Sequence, residues 1–210
     1  MNRAEARALL RGPYAIVNEA PDAERIVEAA LAAGFRILQY RAKQGIDAER
    51  LRAFCIRVQA RGALAIGNDH WRAAQAAGCD GVHLGPGDEG FDDPAPLRRC
   101  WPDAIIGLSI GLAAEARALD ATCLDYLGVG AVFATASKAD AGEPIGLAGL
   151  RAVASATALP ICAIGGMTPE SLASVRANGA AMAATISALA GAADPAAAAR
   201  RYVAAWEAAG

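Results

Sequence analysis

The stretch "CDGVHLGPGDEG", residues 79–90, contains a short apolar run that ends in a glycine-rich turn carrying one carboxylate, Asp88. The stretch just upstream, "LAIGNDHW" (residues 64–71), has the same plan, because its apolar residues lead through a glycine to Asp69. Runs that are apolar throughout are typical of strands in a parallel sheet, where both faces are covered. The two stretches therefore predict neighbouring parallel strands that each end beside an aspartate.

Similar runs recur along the whole chain and define eight candidate strands. They are Tyr14–Val17, Phe35–Tyr40, Ala63–Ile66, Gly81–Leu84, Ile105–Leu108, Tyr126–Val129, Pro160–Ile164 and Ala181–Ile186. Between them, segments such as "DAERIVEAALAAG" (22–34) and "DAERLRAFCIRVQARG" (47–62) place apolar residues at helical spacing, begin with a capping aspartate and end with a glycine. Eight strand and helix units predict an α/β fold, a single-domain (β/α)8 TIM barrel over residues 1–210; a doubly wound open sheet is the alternative.

The composition narrows the class of protein. The chain has 210 residues, of which 55% are hydrophobic and 20% charged, with a formal net charge of -2. These values argue against intrinsic disorder and against a basic nucleic-acid-binding surface. No apolar stretch approaches the roughly 20 residues that cross a bilayer, and no signal segment is evident. We expect a cytoplasmic protein with no nucleic-acid or membrane partner, and the sequence leaves open whether its copies form a homo-oligomer. The five widely spaced cysteines are expected to be reduced and mostly buried.

The candidate ligand-binding residues lie at or just after the carboxyl ends of the candidate strands, where ligands bind in barrels and in open α/β sheets. The candidates are Gln39, Arg41, Lys43, Asn68, Asp69, Asp88, Ser109, Thr135, Ser137, Lys138, Gly165, Gly166, Ile186 and Ser187. The cations Arg41, Lys43 and Lys138 suit phosphate oxygens, whereas the two aspartates would repel them unless a divalent cation lay between. The combination predicts a diphosphate site that includes Mg²⁺.

A second anion site is indicated by the glycines after the seventh strand. Gly165 and Gly166 are followed by Thr168, Pro169 and Glu170, which gives a tight turn and a helix start with proline at its first position. Backbone N–H groups in such a turn favour a phosphate, and barrels often build that site from the loops after strands seven and eight. Two anionic substrates are therefore predicted.

Several of these residues have a purely structural alternative. Arg41 and Lys43 alternate along a strand end and could be solvated, and Asp69 could cap the helix beginning at His70. His83 lies inside an apolar strand, which favours a hydrogen-bonded core histidine over a ligand. The functional interpretation depends on all these residue types occurring together at the strand ends.

At these residues the chain resembles the thiamine-phosphate synthase family, from Tyr14 to about Leu189. The motifs that carry the resemblance are "QYRAK" (39–43), "NDHW" (68–71), "GVHLGPGD" (81–88), "DYLGVGAVFATASK" (125–138) and "AIGGM" (163–167). The resemblance implies a (β/α)8 barrel that joins hydroxymethylpyrimidine diphosphate to hydroxyethylthiazole phosphate, or to its carboxylated form, and releases pyrophosphate.

The resemblance also implies roles for the candidate residues. The pyrimidine diphosphate would contact Gln39, Arg41, Lys43, Asn68, Ser109 and Lys138, of which Arg41, Lys43, Ser109 and Lys138 would be catalytic. Mg²⁺ would be held by Asp69 and Asp88. The thiazole phosphate would be held by Thr135, Ser137, Gly166, Ile186 and Ser187. No nucleophilic side chain is needed, because cations and Mg²⁺ stabilise the departing pyrophosphate while the pyrimidine delocalises the resulting positive charge.

Some positions depart from the family pattern. Ala42 replaces a frequent Glu, Pro86 a frequent Gln and Ser137 a frequent Thr, and Gly111 stands where a histidine is common. Two alternatives remain, a thiazole tautomerase that shares the fold and a non-catalytic phosphate-ligand binder. Glycine cannot carry a proton, so Gly111 argues against the tautomerase.

Overall fold

The computed structural model describes residues 1–42, 45–135 and 142–210, and it contains a closed barrel of eight parallel strands. The strands are β1 (Gly12–Asn18), β2 (Ile37–Arg41), β3 (Leu64–Asn68), β4 (Gly81–Leu84), β5 (Ile105–Ile110), β6 (Tyr126–Val129), β7 (Ile161–Ala163) and β8 (Met182–Thr185). Each strand pairs with the next in the chain, and β8 pairs with β1. The predicted barrel and all eight predicted strands are confirmed, and the open-sheet alternative is wrong.

Helices surround this barrel. They are α1 (Arg3–Arg7), α2 (Ala23–Ala33), α3 (Ala48–Gln59), α4 (Trp71–Ala77), α5 (Ala95–Cys100), α6 (Ala113–Ala118), α7 (Gly146–Ala154), α8 (Leu172–Ala177), α9 (Ser187–Ala190) and α10 (Pro195–Ala208). Two helices, α9 and α10, follow β8, and α1 precedes β1. The short helix α1 has no counterpart in the predicted alternation, because five residues are too few to show a helical period.

The two predicted aspartate caps behave differently. Asp47 accepts hydrogen bonds from the backbone N–H groups of Glu49 and Arg50, as predicted. Asp22 occupies the cap position of α2 but makes no side-chain cap hydrogen bond, so the capping prediction is wrong there. Gly34 ends α2 in the left-handed conformation with φ 103°, which confirms the predicted glycine stop.

Buried side chains form two cores on opposite faces of the sheet. One lies between the strands and the helices and includes Leu38, Ile106 and Leu150. The other fills the barrel interior and includes Ile37 and Leu64. Because both faces of each strand are covered, the strands have to be apolar along their whole length, which is the pattern seen in the sequence.

A buried ionic cluster closes the amino-terminal end of the barrel. Asp125 directly precedes β6 and is fully buried. Its carboxylate accepts from Arg3 Nε of α1 at 2.8 Å, from Arg98 Nη2 of α5 at 2.7 Å and from the backbone N–H of Ile106 at 2.9 Å. We call Arg3, Arg98 and Asp125 the closed-end cluster, in which the buried negative charge is fully matched.

Two further features of the described residues are the state of the cysteines and the length and hydropathy of the helices. All five cysteines are free thiols; four are buried and Cys100 is exposed. Within the described part of the chain, no helix is long and apolar enough to cross a membrane.

Candidate active site

The carboxyl ends of the strands surround a cavity of about 320 Å³. Ten of the predicted site residues line it: Gln39, Arg41, Asn68, Asp69, Ser109, Thr135, Gly165, Gly166, Ile186 and Ser187. Asp88 lies beside Asp69 at the rim, close enough to interact with its carboxylate. Predicted residues Lys43, Ser137 and Lys138 fall outside the residues that the structure describes. The structure therefore brings together all the predicted residues that it describes.

Two neighbouring carboxylates stand at the mouth of the cavity. Partial burial of Asp69 and the adjacent Asp88 carboxylate raise the pKa of Asp69 to about 6, against the opposing effects of Arg41 and His70. The Asp88 carboxylate is oriented by the backbone N–H of Gly85, which donates to its Oδ2 at 2.6 Å. Two adjacent negative charges repel each other, so the pair is favourable only with a cation or a shared proton nearby.

The backbone of Asp69 supports a role at this mouth. Its φ of 64° lies in the left-handed region, and among the described residues it is the one non-glycine residue with a positive φ. Such conformations cost energy and concentrate at functional sites. The capping alternative for Asp69 is wrong, because His70 occupies the cap position of α4 and that position has no side-chain cap hydrogen bond.

The bottom of the cavity is crossed by a row of hydrogen-bonded side chains. Gln39 Nε2 donates to Tyr14 Oη at 2.9 Å, and Tyr14 Oη lies 3.0 Å from Tyr126 Oη. Tyr126 Oη lies 3.0 Å from His83 Nδ1, and His83 Nε2 lies 2.9 Å from Ser109 Oγ. We call these five residues the floor chain. His83 is hydrogen-bonded, as predicted, but it is only partly buried and lines the cavity, so the prediction of a core histidine is wrong.

Two glycines inside the barrel strands make room for the rings of the floor chain. A Cβ atom on Gly107 would lie 2.2 Å from Cζ of Tyr126, and one on Gly128 would lie 2.7 Å from Cε1 of His83. The sequence patterns do not single out Tyr14, Tyr126 or these glycines. These residues could have been found from the alternation of side chains between the two faces of a strand. It places Gly107 on the same face as Ser109, and Gly128 on the same face as Tyr126.

The glycine turn after β7 has the geometry expected of it. Gly165 and Gly166 have φ of 98° and 65°, and a Cβ on Gly165 would lie 2.6 Å from Cα of Ala131, so only glycine fits. Pro169 begins a short 3-10 turn, as predicted for the helix start. The cavity is lined by the two glycines and not by Thr168 or Pro169. The N–H of Thr168 already donates to Ser171 Oγ at 3.1 Å.

Gly111 also lines the cavity. A Cβ at this position would have Gly130 O as its nearest neighbour at 4.0 Å, so the glycine leaves open space. Its N–H donates to Glu115 Oε2 at 2.8 Å. His83 is the described cavity histidine, and each of its ring nitrogens already faces a hydroxyl group. Because residue 111 has no side chain, the cavity is open at this position.

Comparisons with known proteins agree with this geometry. The family model described as "Thiamine monophosphate synthase" matches residues 13–189. A thiamine-phosphate synthase of Moorella thermoacetica is 46% identical over 84% of this chain and 84% of its own. One from Caldivirga maquilingensis is 36% identical over 95% of this chain and 98% of its own.

A solved structure gives the same result. Thiamine phosphate pyrophosphorylase from Pyrococcus furiosus superposes with a TM-score of 0.83 at 28% identity, covering 97% of this chain and 98% of that one. The matched residues 13–189 include every described residue of the floor chain and of the mouth. The chain therefore belongs to the thiamine monophosphate synthase family.

Proposed function

We propose that the cavity joins hydroxymethylpyrimidine diphosphate to hydroxyethylthiazole phosphate, or to its carboxylated form, giving thiamine phosphate and pyrophosphate. The observation that carries the proposal is the pair Asp69 and Asp88 beside Arg41 at the mouth. Carboxylates and a guanidinium at one mouth suit a ligand that brings both phosphate oxygens and a divalent cation. Membership of the thiamine monophosphate synthase family supports the same reaction.

The paired carboxylates fit Mg²⁺ chemically. Mg²⁺ is usually held by one or two carboxylates, with substrate phosphates and waters completing its octahedron. No group of three or more His, Cys, Asp or Glu side chains that could hold a metal occurs in residues 1–42, 45–135 and 142–210. Asp69 and Asp88 would thus supply two ligands, and the bound ion would neutralise charge on the diphosphate.

The remaining residues divide between the two substrates. Arg41 would contact the diphosphate, together with Asn68 and with Lys43 and Lys138. Gln39 and Ser109 would contact the pyrimidine ring from the floor of the cavity. The thiazole phosphate would be held by Thr135, Ser137, Gly166, Ile186 and Ser187. Support comes from the cavity, which ten of the predicted residues line together.

The chemistry needs positioning and charge stabilisation more than reactive side chains. As pyrophosphate departs, negative charge grows on its oxygens, and a guanidinium held at that point interacts more strongly with the transition state than with the substrate. The floor residues hold the pyrimidine, and the thiazole subsite holds the nitrogen in line with the methylene carbon. We place this reaction in a cytoplasmic enzyme whose residues 1–210 form one domain and whose ligands are these small molecules.

The direct test supplies both phosphorylated substrates and Mg²⁺ to the purified protein and follows thiamine phosphate and pyrophosphate. Both products should appear in equal amounts, and EDTA should stop their formation until Mg²⁺ is restored. A variant at the exposed cap position, Asp22→Asn, is the control and should keep full activity. Product formation that is indifferent to EDTA would contradict the role of the carboxylate pair.

The tautomerase alternative has its own test. Gly111 offers no proton carrier, and the ring nitrogens of His83 face Tyr126 and Ser109. With the thiazole carboxylate phosphate in D₂O, NMR should therefore show no enzyme-dependent deuterium incorporation. Exchange at a catalytic rate would overturn the transferase assignment.

A further inference from the structure

We propose that Tyr14, Tyr126 and His83 are positioning residues that fix the Ser109 hydroxyl as a hydrogen-bond donor pointing into the cavity. The identity of the ligand that receives this hydrogen bond rests on the proposed function. The direction of the hydrogen bonds rests only on the floor chain and the chemistry of its groups.

The donor-to-acceptor direction of the floor chain is set at Gln39, which is almost fully buried, with 2% of its surface exposed. Its amide nitrogen can donate but cannot accept, so Tyr14 Oη accepts this hydrogen bond. The single hydrogen of Tyr14 is then available for Tyr126, and the hydrogen of Tyr126 is available for His83 Nδ1. In the reverse direction, Tyr14 Oη would accept from both Gln39 and Tyr126, and the hydrogen of Tyr14 would have no acceptor among the described residues.

The direction then determines the state of His83. A ring nitrogen that accepts from Tyr126 carries no proton, so the imidazole is neutral and its hydrogen resides on Nε2. That hydrogen is donated to Ser109 Oγ at 2.9 Å. Because a serine hydroxyl has one hydrogen, Ser109 keeps its own for a ligand. Burial raises the pKa of Tyr14 and of Tyr126 above the usual value, which keeps both hydroxyl hydrogens in place.

The backbone is adapted to this arrangement. Gly107 and Gly128 lie within strands, where glycine weakens the sheet because it has no side chain to pack. At each position the missing Cβ is the space that a floor-chain ring occupies, Tyr126 at one and His83 at the other. The Tyr126 ring therefore packs against β5 and the His83 ring against β6, which restricts the orientations that their polar atoms can adopt.

A fixed donor at Ser109 selects for a particular ligand chemistry. A ring nitrogen with a free lone pair, such as those of an aminopyrimidine, can accept from it. A ring N–H at the same place would meet a second donor and would be rejected, since an unmatched buried polar group is costly. The floor chain thus favours the acceptor form of a nitrogen heterocycle.

The kinetic test uses tyrosine-to-phenylalanine changes, which keep the rings and remove only the hydroxyls. Tyr126→Phe and Tyr14→Phe should raise KM for the pyrimidine diphosphate about fivefold to tenfold, the effect of losing one hydrogen bond, and leave KM for the thiazole phosphate unchanged. Tyr202→Phe is the matched control: Tyr202 is buried outside the barrel interior, and its hydroxyl lies 3.5 Å from Ala183 O. Floor variants that behave like Tyr202→Phe in both constants would overturn the proposal.

The spectroscopic test does not depend on turnover. The chain has two histidines, so ¹⁵N-histidine labelling with His70→Gln assigns His83 unambiguously. We expect the neutral Nε2–H tautomer for His83, and we expect Tyr126→Phe to weaken that preference. The Nδ1–H tautomer in the unsubstituted protein would reverse the direction and overturn the proposal. If no thiamine phosphate forms while the Nε2–H tautomer is found, the proposed function fails and the floor chain stands.

Discussion

The two ends of the barrel use aspartate in opposite ways. At the closed end, Asp125 is fully buried and accepts from two arginines and a backbone N–H. At the open end, Asp69 and Asp88 face each other, and their repulsion contributes to the raised pKa of Asp69. At the closed end the buried negative charge is paired within the chain, whereas at the open end the two carboxylates repel each other, and in the proposed function a bound cation lies between them. Stability and ligand binding are thus assigned to different ends of one sheet.

The largest effect should come from the closed end. Asp125→Ala leaves Arg98, which is mostly buried, without its partner, and removing one member of a buried ion pair typically costs about 3–5 kcal/mol. We expect a loss of that size in the free energy of unfolding, measured with urea, while the activity of each folded molecule stays near normal. A loss below about 1 kcal/mol would show that the closed-end cluster is not a determinant of stability.

The open end should show the reverse pattern. Asp88→Asn removes one proposed metal ligand, and we expect turnover to fall on the order of 100-fold, a size typical for the loss of one charge-stabilising group. The urea midpoint should stay the same or rise, because a repulsive carboxylate has been removed. Normal turnover together with a lowered midpoint would make Asp88 a structural residue and erase the contrast between the ends.

A smaller effect is expected in the pH dependence of stability. The pKa of Asp69 is about 6 in the folded protein, above the value of about 3.9 of an unperturbed aspartate, so the folded state binds this proton more tightly. Stability from Asp69 is therefore present at low pH and is lost as the pH rises through about 6. Asp69→Asn should remove that loss and gain on the order of 1 kcal/mol at pH 7, discounted because the side chain is half exposed.

Unfolding by urea at pH 4.5 and pH 7.5 measures this effect. The advantage of Asp69→Asn over the unsubstituted protein should grow between the two pH values, and asparagine tolerates the left-handed backbone at this position. An advantage that is the same at both values would mean that the two carboxylates do not interact through their charges.

The smallest effect sharpens the comparison with two aspartates that follow β1 and β2 but do not line the cavity. Asp47 caps α3 through two backbone N–H groups, whereas Asp22 makes no such hydrogen bond. Asp47→Ala should cost about 0.5–1 kcal/mol in the free energy of unfolding, and Asp22→Ala should cost almost nothing. Equal costs would show that helix capping is decided by position and not by the observed hydrogen bonds.

The barrel was predictable because a strand covered on both faces has to be apolar throughout, and this pattern is visible at residues 63–66 and 105–108. The mouth was predictable because polar residues that follow such strands converge at one end. The meeting of Asp69 and Asp88 was also predictable, because they follow neighbouring strands, but the left-handed backbone at Asp69 was not. Nor was the floor chain, because a tyrosine within an apolar strand resembles any core residue until its hydroxyl partner is known.

The close fit between strand glycines and rings has a consequence for how this barrel tolerates change. Gly107 and Tyr126 share one small volume, and Gly128 and His83 share another. Residues in direct contact have non-additive mutational effects, so a methyl group added at residue 107 is harmful beside tyrosine but has room beside a shorter side chain at residue 126. Substitution at either position of a pair is therefore restricted until its partner changes. A redesign of the floor chain has to alter both members of a pair together.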